Sequence, residues 1–207
     1  MIDTAVKTRK APQQARAKAR IDTILTATNG LLKTTTPANI TTTMIAHAAG
    51  IPVGSLYRYF EDKNAILEQL YSAASHVVFR QVETAQAAID ADTGFEEVIR
   101  LLLQAFWRAA RMHPTFKTLT RWANREHSFV DVTPGADSGL AEMVARTFKV
   151  TGLNVSAARE AAVMQTTVTI VSALIDVAFE EDNEEKAQAL IDELATVLSS
   201  YLGIASW

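Results

Sequence analysis

Apolar positions recur at helical spacing along almost the whole chain. From Ala15 to about Lys33, Ile21, Ile24, Leu25, Leu31 and Leu32 fall on one face, which predicts an amphipathic helix. The run Thr34-Thr35-Thr36-Pro37-Ala38-Asn39 interrupts it, because proline biases the residue before it toward extended backbone and Thr and Asn compete for backbone hydrogen bonds. A short helix is expected over Thr42 to Ala49, with Thr41 or Thr42 as its cap and Ile45 and Ala49 facing inward. Gly50-Ile51-Pro52 reads as the turn after it, since glycine accepts the left-handed conformation that ends a helix and Pro52 suits the start of the next. A third helix follows from Val53 to Phe60, and Asp62 can cap a long fourth one carrying Ile66, Leu67, Leu70, Ala74, Val77, Val78 and Val82. That helix is expected to end between Asp90 and Gly94. Further helical stretches run from Phe95 to Met112, Pro114 to Arg125, Leu140 to Val150, Ser156 to Phe179 and Glu184 to Leu202. The whole reads as an all-α protein of about nine helices, with a mobile loop from Glu126 to Gly139 around Pro134 and Gly135.

Composition agrees. The 207 residues are 48% hydrophobic, enough for a packed core, and hold only 8 Gly and 5 Pro. Charged residues make up 21%, mean hydropathy is +0.06, and no uninterrupted apolar run approaches the roughly 18 residues that read as a membrane span, so a soluble protein is expected. The absence of cysteine excludes disulfides, thiolate metal sites and cysteine nucleophiles, and leaves the cytoplasm as the default compartment. Charge changes the picture more. Up to Lys63 there are 9 basic against 4 acidic side chains, and beyond it 11 against 19. A basic first third suits a polyanionic partner, whereas simple solvation of helix faces would also account for the charges. The basic arm from Lys7 to Arg20 could belong to an organelle transit peptide, but it runs directly into the amphipathic helix without a cleavage site. The charge boundary lies near Gln69 to Ser75, which divides the chain into 1–70 and 71–207 inside the fourth helix, and a continuous helix there would couple the two parts.

The chemistry concentrates between Thr41 and Phe60. Two short helices joined by a glycine-bearing turn, with Ala46 and Ala49 small enough for close backbone approach, form a helix-turn-helix. Such a geometry pushes the second helix outward, where a rod about 10–12 Å across fits the major groove of B-DNA. Val53 can touch a thymine methyl, Gly54 lets the backbone come close, and Ser55 can bond a base edge or a phosphate. Arg58 suits bidentate contact to guanine or a phosphate clamp, and Tyr57 and Tyr59 offer hydroxyl donors. Lys63 adds a positive charge, and Thr42 and Thr43 sit at a helix N-terminus that favours a phosphate. Leu56 and Phe60 read as core, one of the two tyrosines is expected to pack inward, and His47 reads as structural or solvent-facing.

With Ile45-Ala46, Ala49-Gly50-Ile51, Gly54, Leu56-Tyr57-Arg58-Tyr59-Phe60 and Lys63 in register, the stretch Ala15 to Tyr71 resembles the DNA-binding region of the tetracycline-repressor (TetR) family of bacterial transcription regulators. The family pattern usually has Ser or Thr at the position of Pro52, so this chain departs from it where the recognition helix is capped. The resemblance implies a homodimer, mostly repressing, whose second domain binds a small-molecule effector and changes the separation of two recognition helices on a pseudo-palindromic double-stranded DNA operator.

In the remainder, Ala187, Leu190, Ile191, Leu194, Val197, Leu198, Tyr201 and Leu202 form an apolar stripe, and Ser156 to Phe179 is apolar around most of its circumference. Two buried faces need two neighbours: the domain's own core and a second copy meeting it through about 156–204, or else a larger monomeric core. Phe106, Trp107, Met112, His113, Phe116, Arg121 and Trp122, with Met164, Gln165, Thr166 and Thr169, could line a mostly apolar effector pocket or simply be core. Among them Phe106, Trp107, His113, Arg121, Trp122, Gln165 and Thr169 are the candidate ligand-binding residues. Four separated histidines lack metal-ligand spacing, and no glycine-rich phosphate loop or Gly-x-Ser-x-Gly elbow occurs, so neither cofactor nor catalysis is expected. The competing reading is a helical protein-interaction module that keeps the helix-turn-helix shape without choosing a DNA sequence.

Overall fold

The computed structural model describes residues 10–90, 92–126 and 139–205, so most of the expected loop from Glu126 to Gly139, and the arm before Lys10, lie outside the described residues. These residues form nine α-helices: α1 (Lys10–Leu31), α2 (Thr42–Ala48), α3 (Val53–Leu56), α4 (Lys63–Ala87), α5 (Phe95–Met112), α6 (Phe116–Glu126), α7 (Gly139–Val150), α8 (Ala157–Glu180) and α9 (Glu184–Ala205). The fold is all-α. Two compact units divide the chain, Met1–Leu70 and Tyr71–Trp207.

In the first unit α1 starts at Lys10, five residues before the expected start at Ala15, because Gln13, Gln14, Ala15, Lys18 and Ala19 are good helix formers and Pro12 lies in the first turn, where it is tolerated. Its buried stripe is Ile24 and Thr28, continued by Leu32 just past its end, and the Thr28 hydroxyl is satisfied by the Ile24 carbonyl at 2.8 Å. One turn of 3-10 helix, Pro37–Asn39, leads to α2, whose N-cap Thr41 accepts a hydrogen bond from the Met44 amide at 3.2 Å. Gly50 follows with φ +63°, the left-handed conformation the turn needs, and its neighbour Ile51 is buried. The third helix is shorter than its periodicity predicts. The amides of Tyr59 and Phe60 both reach the Leu56 carbonyl, at 2.9 and 3.1 Å, so the chain tightens into a turn that brings Phe60 into the core beside Leu56. Asp62 caps α4 through the Ala65 amide at 2.9 Å.

In the second unit α9 packs against α5 and α8, with α7 on α8 and α6 on α5. Val163, Thr167, Val168, Val171, Ile175, Ala178 and Phe179 make the buried stripe of α8, and Ile191, Leu194, Leu198 and Leu202 that of α9. Val197, expected in that stripe, is instead 42% exposed. An aromatic cluster joins α5, α6 and α8: Trp107 stacks on Phe179 at 5.2 Å, and Phe116 meets Phe106 and Phe179 edge-on at 6.0 and 6.3 Å. Among the described residues α8 is the one helix with the length and hydropathy of a membrane span, and its buried stripe assigns it to this core.

Candidate nucleic-acid interface

The helix-turn-helix presents one polar surface over an apolar floor. Ile45 and Ala46 of α2 and Leu56 of α3 are fully buried, with Phe60 close behind. Burying these four fixes which side of α3 faces out. Pro52, Gly54, Tyr57 and Arg58 are exposed, Val53, Ser55 and Tyr59 half-buried. On α2, Thr43 and His47 are exposed and Thr42 half-buried. The Thr42 hydroxyl and the Tyr57 phenol share a hydrogen bond at 3.1 Å, which ties the front of α2 to the end of α3. Arg58 makes no hydrogen bond or ion pair among the described residues, so its planar donor fork is available. Arg16, Lys18, Arg20 and Lys33 of the same unit are exposed too.

Lys63 stands apart from this set. Its ammonium donates to three backbone carbonyls, those of Pro37, Ala38 and Ile40, at 3.1, 2.9 and 3.0 Å. All three of its donors are thereby engaged, and the side chain clamps the segment that leads into α2. Its charge alone suggests a phosphate contact. The carbonyl cradle comes from residues more than twenty positions upstream and carries no local sequence signal.

Residues 24–70 match the family described as bacterial regulatory proteins, tetR family, and residues 95–202 match the tetracyclin repressor-like, C-terminal domain. The chain belongs to the TetR family. It is therefore a DNA-binding transcriptional regulator and not an enzyme. Solved structures agree on the fold. A TetR-family transcriptional regulator from Streptomyces coelicolor is 24% identical with a TM-score of 0.62, covering 90% of this chain and 99% of its own. A TetR transcriptional regulator from Rhodococcus sp. RHA1 is 16% identical with a TM-score of 0.56, covering 87% and 95%. No curated protein matches the chain.

In this TetR-family chain Pro52 holds the N-cap position of α3 with φ −61° and ψ 141° and no side-chain cap. Its carbonyl still receives the Ser55 amide at 2.9 Å, so the helix starts without the hydroxyl the family usually supplies. The candidate effector residues of the second unit are spread over different surroundings. Phe106 and Trp107 are buried in the aromatic cluster, Phe116 joins them, and Trp122 of α6 is buried too. His113 is half-buried, its ring edge-on to Phe116, and burial holds its pKa below the ordinary value. Arg121 pairs with Glu180. Gln165 and Thr169 lie on the exposed face of α8, the Thr169 hydroxyl bonded to the Gln165 carbonyl at 2.8 Å, while Met112 is 75% exposed. A cavity elsewhere in the unit, between α5, α7, α8 and α9, is lined by other residues, running from Ile99 to Leu202. Their separation in sequence hides them from any reading by motif.

Proposed function

We propose that the protein is a homodimeric repressor that holds a pseudo-palindromic operator through α2 and α3 and leaves it when a small molecule binds the second unit. The observation that carries the DNA half is the exposed Arg58, without a partner among the described residues, beside exposed Tyr57 and Gly54, on a helix and turn whose other side is locked down by Leu56 and Phe60. Val53, Gly54 and Ser55 meet base edges, Arg58 reads a guanine or clamps a phosphate, and Thr43, Tyr57 and Tyr59 bond the backbone, with Thr42 orienting Tyr57. Lys63 acts by holding the approach to α2 in place. The proposed working compartment is the cytoplasm, where such an operator lies.

An uncharged exposed stripe on α8, Ala162, Gln165, Thr169, Ala173 and Val177, supports pairing of two copies through 156–204. Val197 and Ile204, 42% and 70% exposed, extend it onto α9. Two-fold pairing of these helices would place two recognition helices about 34–36 Å or a multiple apart. The effector then works by binding more tightly to a dimer whose spacing no longer fits, which shifts the population off the DNA.

Selection of bound fragments from genomic DNA, followed by affinity measurements against salt and sedimentation of the free protein, tests the reading. A dimer preferring an inverted repeat, with affinity falling steeply as salt rises, is the expected result. Binding without preference for any sequence would make the chain a protein-interaction module that retains only the shape.

A further inference from the structure

The cavity between α5, α7, α8 and α9 has walls of one chemical kind. Leu102 and Leu103 of α5, Val144 and Phe148 of α7, Val171 of α8 and Leu198 of α9 face it with carbon. Two threonines also line it, and neither has a free donor. The Thr147 hydroxyl donates to the Met143 carbonyl at 2.9 Å and the Thr167 hydroxyl to the Val163 carbonyl at 2.8 Å, each within its own helix. No charged side chain contributes to the lining. The centre of a water molecule can occupy about 40 Å³ of it, well above the roughly 10–15 Å³ that one water needs. Water there would find almost no partners. An apolar cavity of roughly 150 Å³ takes up benzene, so a ring or short chain enters this smaller one by pushing its walls apart.

We infer that this cavity is the effector site, and that its ligand is a small, uncharged, hydrocarbon-like molecule, a single unsubstituted ring or a short alkyl chain. A polar or ionised ligand would give up its hydrogen bonds to water and receive at most an acceptor oxygen from a threonine in return. The site also has a route outward. The wall helix α7 carries Arg146, whose guanidinium pairs with Glu83 of α4 at 2.6 Å, and α4 is the helix that begins at Lys63. A molecule that wedges Val144 and Phe148 outward therefore pulls on a charge pair held to α4.

The inference rests on the regulator reading given above, and its test separates the two. The full-length protein, labelled at Ile, Leu and Val methyls, is titrated with benzene, n-hexane, hexanoate and hexylammonium, and the affinity for its selected DNA fragment is measured with each. Benzene or hexane should shift the methyl signals of Leu102, Val144 and Val171 and weaken DNA binding, with the two ionised probes at least about 100-fold weaker as ligands. Val144→Phe, which fills the cavity, should weaken binding of the apolar probes about tenfold or more. Val171→Leu is a milder filling should the larger residue disturb folding, and should act in the same direction. Absence of probe binding, equal binding of the ionised probes, insensitivity to both substitutions, or binding with no change in DNA affinity would overturn the assignment. A failure of the regulator reading looks different: the probe-free protein would then prefer no DNA sequence at all.

Discussion

In the first unit the polar residues that matter stand on the outside of α2 and α3, and the residues beneath them are aliphatic or aromatic and fully packed. In the second unit the order is reversed. Its large aromatics, Phe106, Trp107, Phe116 and Phe179, are enclosed in one cluster, and the space that could receive a ligand is walled by carbon. The contrast follows from what each partner is. A duplex is a fixed external polyanion, so its reader needs protruding donors on a rigid base. A small apolar molecule is held by exclusion of water, so its site needs an interior. Aromatic residues consequently carry different weight in the two halves: exposed Tyr57 is available to a partner, whereas buried Trp107 and Phe179 hold the unit together.

The sharpest way to test that division is at Phe179. Replacing it with Ala removes the ring that Trp107 and Phe116 pack on, and the second unit should lose about 3–5 kcal/mol in urea unfolding. A loss below about 1 kcal/mol would mean that the cluster has room to give, and that these aromatics belong to a site instead of a core. Lys63→Met should come next in size. Removing a charged donor from three carbonyls is expected to cost about 2 kcal/mol in the first unit. Its decisive readout is the slope of log affinity against log salt. That slope should stay unchanged if Lys63 serves the fold, and drop by about 0.9 if it neutralises a phosphate. Arg58→Ala belongs on the opposite side of the comparison: about 1–3 kcal/mol lost in DNA affinity, with thermal stability within about 0.5 kcal/mol of the parent. If Arg58→Lys restores affinity without restoring base choice, the guanidinium fork reads a guanine.

These effects also show why the two halves were unequally legible in the sequence. Thr41, Gly50, Asp62 and the Leu56/Phe60 pair act within a few residues of themselves, through a cap, a left-handed turn and one helical repeat, so a local pattern is enough to read them. The periodic stretches from Phe95 to Met112 and Glu184 onward were equally plain, since burial against a neighbour imposes the spacing. Lys63 was not, because its partners are backbone carbonyls brought near by tertiary structure. The cavity was least legible of all: Ile99, Val144, Val171 and Leu202 look like any other aliphatic core positions, and only packing leaves a gap between them. Periodicity cannot distinguish a wall from a core. It likewise overran α3 by placing Tyr57 to Phe60 in a helix, because a tight turn keeps Leu56 and Phe60 on the same side as a helix would.

The smallest expected effect lies at a half-buried carboxylate of the second unit. Asp176 on α8 accepts a hydrogen bond from the Asn124 amide at 2.6 Å through Oδ2, while its Oδ1 is buried without a hydrogen-bond partner among the described residues. Burial raises its pKa above the ordinary aspartate value of 3.8, against the opposing pull of the Asn124 bond and the Arg121 charge, and Glu180 adds to the rise. The folded protein thus holds this proton at a pH where the unfolded chain has released it. Its contribution is fully present below the unfolded value and is lost as pH rises through the folded one, so ionised Asp176 works against folding at neutral pH. Asp176→Asn keeps an acceptor for Asn124 and removes the charge. The group is only half-buried, so water screens the penalty and the gain should stay below about 1 kcal/mol, a rise of about 1–3 °C in Tm at neutral pH. Below pH 3.8 the variant and the parent should melt together. Equal destabilisation of the variant at both pH values would instead show that the second unit depends on this carboxylate as an acceptor, and that its interior is less uniformly apolar than the cavity walls suggest.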